Sequence, residues 1–139
     1  MPTNSNSKLQ GRWVYRSLRN NKVLNTSFNN LAFGLGTIDF KKIAAGQILD
    51  SKLDMGSNLV LTIQGEIAGD NPVSLKWRGT GVKGSPTEGW IYDYQAYLAP
   101  TWPKATDKTP VLVGSVIRTV AHGGEPAGDT GTFYMVKLD

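Results

Sequence analysis

The chain has 139 residues, of which 40% are apolar and 19% charged, a balance that suits one globular domain and leaves no room for a second of useful size. With no cysteine it can form neither disulfides nor thiolate metal sites, and no cysteine nucleophile is available. The net charge of +4 is spread over scattered bases such as Arg12, Arg16, Lys41, Lys76 and Lys104, which reads as a solvated surface and not as a nucleic-acid footprint.

No apolar run reaches the roughly 20 residues of a membrane span, and MPTNSNSKLQ lacks the pattern of a signal peptide. A soluble, cytoplasmic protein without membrane attachment is the expectation. Residues 1–9 are expected to be a flexible N-terminal tail on a single β-barrel domain spanning 1–139.

Period-2 segments rich in Val, Ile, Thr and aromatics recur between Gly, Pro, Asn and Asp punctuation, and no sustained helical period competes with them. In chain order they are GRWVYRSL (11–18), LAFGLGTIDF (31–40), GQILDSKLDM (46–55), NLVLTIQGEI (58–67), PVSLKWRGTGV (72–82), GWIYDYQAYLA (89–99), PVLVGSVIRTV (110–120) and GTFYMVKL (131–138). Tight turns near Met55–Asn58 and Ala68–Pro72 join antiparallel neighbours. The fold class is therefore all-β: eight antiparallel strands in an up-and-down meander that closes into a barrel, lipocalin-like in architecture.

Alternation assigns faces. Leu49, Leu53 and Met55 on the third segment, Leu59, Leu61 and Ile63 on the fourth, and Val73, Leu75 and Trp77 on the fifth are expected inside. The segment 89–99 admits two phases: Trp90, Tyr92 and Tyr94 inward, or Asp93, Gln95 and Tyr97 inward. The aromatic phase is favoured because burying a lone carboxylate is costly. In the other phase a desolvated Asp93 would become a general acid or base.

In an eight-strand meander the first strand begins at the end where the last one finishes, which brings Trp13 close to Lys137. A Gly-x-Trp at Gly11–Trp13 with a basic side chain from the final strand over the indole resembles the lipocalin and avidin-like barrels, the calycin group. That resemblance implies a closed barrel with Trp13 as its floor and a ligand cavity above. It does not carry biotin with it: where the last avidin strand supplies an acid, Ser115 and Val116 follow Leu112-Val113-Gly114 here.

Other motifs are weaker. Gly79-Thr80-Gly81-Val82-Lys83-Gly84 fits G-x-G-x-x-G, but no helix start follows to receive a pyrophosphate, so it reads as a strand end and turn. His122 is the only histidine, which excludes a histidine metal cluster; in AHGGEPAGDTG it reads as an exposed loop residue. Parity gathers the loops at 19–30, near Gly56, near Gly84 and at 121–130 around the end opposite Trp13. Arg118 lies near that rim, where an inward side chain would pair with a ligand carboxylate and an outward one would be solvated.

The leading expectation is binding of a small apolar or amphipathic molecule against Leu49, Leu61, Ile63, Trp77 and Trp90, with hydrogen bonds at Tyr92 or Tyr94 and a further contact at Arg118. The alternative is a cofactor-free enzyme, a cyclase, isomerase or lyase working by proton transfer, with Asp93, Tyr92 and Tyr94 as candidate catalytic groups. A third is an interaction module with a filled barrel. No cofactor, metal or nucleic-acid partner is expected. Outward apolar residues Val14, Leu18, Ile91, Tyr134 and Val136 predict a homo-oligomer, a two-fold dimer in the simplest case.

Overall fold

The computed structural model describes residues 8–138. Its strands are β1 (Gly11–Arg19), β2 (Ala32–Phe40), β3 (Lys42–Ala44), β4 (Gln47–Asp54), β5 (Val60–Asp70), β6 (Val73–Gly81), β7 (Ile91–Leu98), β8 (Val111–Arg118) and β9 (Thr130–Lys137), with one short helix, α1 (Phe28–Leu31). Neighbouring strands pair antiparallel in the order β2-β1-β9-β8-β7-β6-β5-β4-β3, and β2 also pairs with β4. That last ladder, which sets Ile38 opposite Leu53, closes eight strands into a barrel. The ninth, β3, prolongs the line of β2 beyond Lys41 and pairs only with the start of β4.

The meander follows from the turns. Gly56, Ser57 and Asn58 all have positive φ between β4 and β5, and the peptide N–H of Met55 donates to Leu59 O at 2.9 Å. Closure gives every long strand a neighbour on each side, although β2 meets β4 only over Thr37–Asp39 and the short β3 keeps a free edge.

One end is sealed by Trp13. It is fully buried, lies opposite Lys137 in the β1–β9 ladder, meets Phe40 edge-on with centroids 6.4 Å apart, and donates from Nε1 to Leu9 O at 2.9 Å. Leu9 is itself fully buried beneath the indole, so the expected flexible tail does not extend to it. The rest of that tail, residues 1–7, lies outside the described residues. Above the floor the barrel is filled with rings. Trp77 stacks on Tyr94 at 5.2 Å, and Phe133 packs against Tyr15, Trp77 and Tyr94.

Three bulges interrupt the ladders; one, at Ala68, lies at the far end of β5, and the other two break the alternation on which the inward faces depend. In the β4–β5 ladder Ile48 faces Gly65 and Ser51 faces Ile63, so two residues, Leu49 and Asp50, stand against one. Asp50 takes φ of 52°, and the buried Ser51 hydroxyl donates to Leu49 O at 2.8 Å while accepting from Lys41 N at 3.1 Å. Ile48 and Ser51 therefore face the interior. Leu49, expected inside, is displaced to a half-buried position beside Lys42 of β3. The second bulge makes Phe33 the extra residue of β2, since Ser17 faces Gly34 and Leu18 faces Ala32.

The glycine pattern at 79–84 ends a strand, and no helix follows it. Gly81 is required there because the Thr87 carbonyl packs where a Cβ would stand. No helix among the described residues is long and apolar enough to cross a membrane.

Candidate functional site

At the end opposite Trp13 the rings give way to a cavity of about 250 Å³. Leu53, Met55, Leu59 and Leu61 form one wall, from β4, the following turn and β5; Phe33, Trp90 and Tyr92 form the other, and Tyr15 and Tyr94 the bottom. The apolar wall follows from plain alternation on β5. Phe33 reaches the cavity because the bulge turns it there.

A chain of polar groups runs along the aromatic wall. Tyr92 and Arg118 are direct partners in the β7–β8 ladder with both side chains inward, so Arg118 Nε donates to the tyrosine hydroxyl at 2.9 Å. Arg118 is 4% exposed, which requires that its charge be met. Asp129 Oδ2 lies 3.1 Å and Pro126 O 3.2 Å from its Nη1, and Glu125 stands 4.0 Å away. The guanidinium carbon is also 5.0 Å from the Phe33 centroid and 5.6 Å from that of Tyr92. Burial alone would lower the pKa of Arg118, but the Tyr92 hydroxyl and Asp129 outweigh it, and the group stays charged.

The same Asp129 carboxylate takes a 2.8 Å bond from Arg19. That bond, followed by the one from Arg118, holds its pKa below the usual carboxylate range.

His122 completes the chain. Residues 122–125 form a tight turn in which His122 and Glu125 exchange backbone hydrogen bonds and Gly123 and Gly124 both have positive φ, a conformation that glycine adopts without strain. The turn folds the imidazole over the rim. There it stacks on Trp90, centroids 3.9 Å apart and planes 12° from parallel, with Nε2 2.6 Å from the Tyr92 hydroxyl. Burial, and then the Arg118 charge, push its pKa below the ordinary value, so it is neutral at pH 7. The expectation of a plain exposed loop residue is overturned.

Of the residues proposed from sequence, Leu61, Trp90, Tyr92, Tyr94 and Arg118 line this cavity. Leu49 lies off it for the reason given above. Ile63 and Trp77 are buried in the filled part of the barrel below; the indole N–H of Trp77 has no hydrogen-bond acceptor among the described residues. Asp93 points away from the interior. It pairs with Arg78 at 2.8 Å, and that bond, reinforced by one from Thr119, lowers its pKa, the opposite of what a buried general acid needs. Tyr15 and Tyr94 are driven the other way: burial raises both phenols above their ordinary range, so they stay protonated.

Phe33 and His122 escaped the sequence reading. Phe33 sits at a bulge that alternation cannot foresee, and His122 is placed by a turn whose only signal is the Gly123-Gly124 pair. A wider groove of about 450 Å³ crosses the outer face over Lys76, Arg78, Asp93 and Gln95, but it is open and charged. Among the described residues no group of three or more His, Cys, Asp or Glu could hold a metal ion.

The architecture is that of a closed eight-stranded antiparallel barrel, consistent with a calycin-like fold, with a cavity at one rim. No protein-family model, curated protein or solved structure matches the chain.

Proposed function

We propose that this protein binds a compact amphipathic molecule at the rim of its barrel, in the manner of the lipocalin and avidin-like proteins. One observation carries the reading: a cavity with a wall of leucines and methionine on one side faces the Tyr92–His122 hydrogen-bonded pair on the other. Apolar walls with a few fixed polar groups are what a small-molecule site requires. The volume of about 250 Å³ suits a single ring system or short chain better than a long lipid.

The body of the ligand would lie on Leu61 and Trp90, above Tyr94, and its polar group would meet Tyr92. Arg118, held by Asp129 and Pro126, would support Tyr92 and so is assigned a supporting place in the site. A cytoplasmic setting and a two-fold dimer belong to the same reading; the absence of cysteine fits the first, and exposed Val14, Tyr97, Ile117 and Tyr134 support the second.

Trp90 lines the cavity, whereas Trp13 and Trp77 are buried below it and Trp102 is exposed elsewhere. Titration with compact amphipathic compounds should therefore change the tryptophan emission of the native chain and leave that of Trp90→Phe unchanged. Native mass spectrometry of freshly purified protein would reveal a retained ligand. An emission indifferent to every such compound, with no retained mass, would defeat the proposal.

A further inference from the structure

We propose that Tyr92 and His122 form an acid–base unit and that the cavity catalyses enolisation, the transfer of a proton at the carbon next to the carbonyl of a compact ketone. This rests on the ligand-binding reading of the same cavity.

The tyrosine oxygen accepts from Arg118 Nε at 2.9 Å and lies 2.6 Å from His122 Nε2. A phenol has one proton to donate and two acceptor positions, and a neutral imidazole carries its proton on either nitrogen. Two arrangements satisfy both contacts. In one the phenol donates to Nε2, leaving an oxygen lone pair for the cavity. In the other Nε2–H donates to the phenol oxygen, and the phenol O–H is released to a ligand. The same atom thus takes or gives a proton without moving. A tyrosine serving only to accept a hydrogen bond from the buried Arg118 would have no use for the second partner.

The surroundings fit that task. The Arg118 guanidinium, fixed by Asp129 and Pro126, sits where negative charge grows on the oxygen as its proton leaves. Trp90 holds the plane of the imidazole.

In the forward step Tyr92 Oη takes the proton from the α-carbon while its own proton passes to Nε2. The electron pair of the broken C–H bond enters the new carbon–carbon double bond of an enolate, whose oxygen bears the negative charge, and the imidazolium balances it. Return of the protons to the same carbon regenerates the ketone, and delivery to a conjugated carbon gives a double-bond isomer. No oxidant, reductant or co-reactant enters. Tyr92 is the catalytic residue; His122 and Arg118 act through it.

The test uses β-tetralone in deuterium oxide. NMR follows loss of its α-hydrogens, and tryptophan emission separately follows its binding. The native chain should exchange them about a hundredfold faster than buffer, the scale of positioned acid–base catalysis. Tyr92→Phe should abolish the acceleration while still binding, with thermal unfolding confirming that it is folded. His122→Gln, a change in a surface turn, is the second variant. The groups facing His122 are Tyr92 from β7, Arg118 from β8 and Glu125 from its own turn. The native rate should rise with pH as the imidazolium is lost, and His122→Gln should be slow and flat over that range. Asp93→Asn, on the outer face, should exchange like the native chain. Binding without accelerated exchange, or Tyr92→Phe exchanging as fast as native, overturns enolisation and leaves the binding site standing. Neither binding nor exchange overturns both readings.

Discussion

Lys137 holds its ammonium 5.8 Å from the centre of the Trp13 indole, so the first and last strands of the barrel jointly seal its floor. The indole is fully buried, and the surrounding ladders cannot collapse into the space that it fills. Trp13→Ala should cost about 3 to 5 kcal/mol in chemical denaturation. Lys137→Met, which removes only a partly solvated cation–π contact, should cost about 1 kcal/mol or less. Similar losses for the two would mean that the lysine, and not the ring, supports the floor.

Met55 stands at the turn between β4 and β5 and contributes to the wall of the cavity. Met55→Trp should fill that space, weakening a bound ligand at least about tenfold, or ~1.4 kcal/mol, while the melting temperature stays near native. Calorimetric titration beside a thermal melt separates the two effects. Undiminished affinity would place the ligand elsewhere.

Acid should weaken the fold in a window set by one residue. Folded His122 resists protonation, through burial and the Arg118 charge, below the ordinary imidazole value of 6.5. The unfolded chain takes up that proton first. The stability tied to neutral His122 is therefore complete above pH 6.5 and declines as pH falls through that value toward the folded pKa. Asp93 and Asp129, lowered by their arginine partners, add a second loss only below the ordinary carboxylate value of 3.8. Urea midpoints measured between about pH 7 and 5 should fall for the native chain and stay level for His122→Gln, because this is the only histidine.

How much of this was written in the sequence depends on whether period 2 holds. Where it does, as on β5 up to Ile67, β6 and β7, the residues themselves reveal the face: the favoured phase of Trp90, Tyr92 and Tyr94 points inward, and the Trp13–Lys137 pairing follows from strand number alone. It fails at Leu49, where an extra residue in the ladder carries a leucine out of the interior, and at Phe33, where another brings a ring in. Nothing local distinguishes these from regular strand. The Tyr92–Arg118 pair needed the register of β7 against β8, which is a property of two strands, and His122 needed the shape of a turn.

The outer face carries the remaining expectation. Val14, Val136 and Val111 stand side by side across β1, β9 and β8, with Tyr134, Val113 and Tyr97 in the next row. Val14, Tyr134 and Tyr97 are 38%, 41% and 48% exposed, a patch that a second copy would cover. Sedimentation at micromolar concentration should give a dimer, and Tyr134→Arg should return it to a monomer. A native chain that sediments at 15.1 kDa would refute the dimer.

The ladder between β1 and β9 also governs the order in which the molecule can be made. Trp13 leaves the ribosome 124 residues ahead of its partner Lys137. Until residues 130–137 emerge, β1 can pair only with β2, and its inner face, with Trp13 and Tyr15, lacks the lid that buries it. The nascent chain therefore exposes an open curved sheet throughout that interval, and closure of the barrel waits on β9. Holdase chaperones should find their substrate in that interval, and a stop codon placed before β9 should yield a protein that associates through the free edges of β1 and β8.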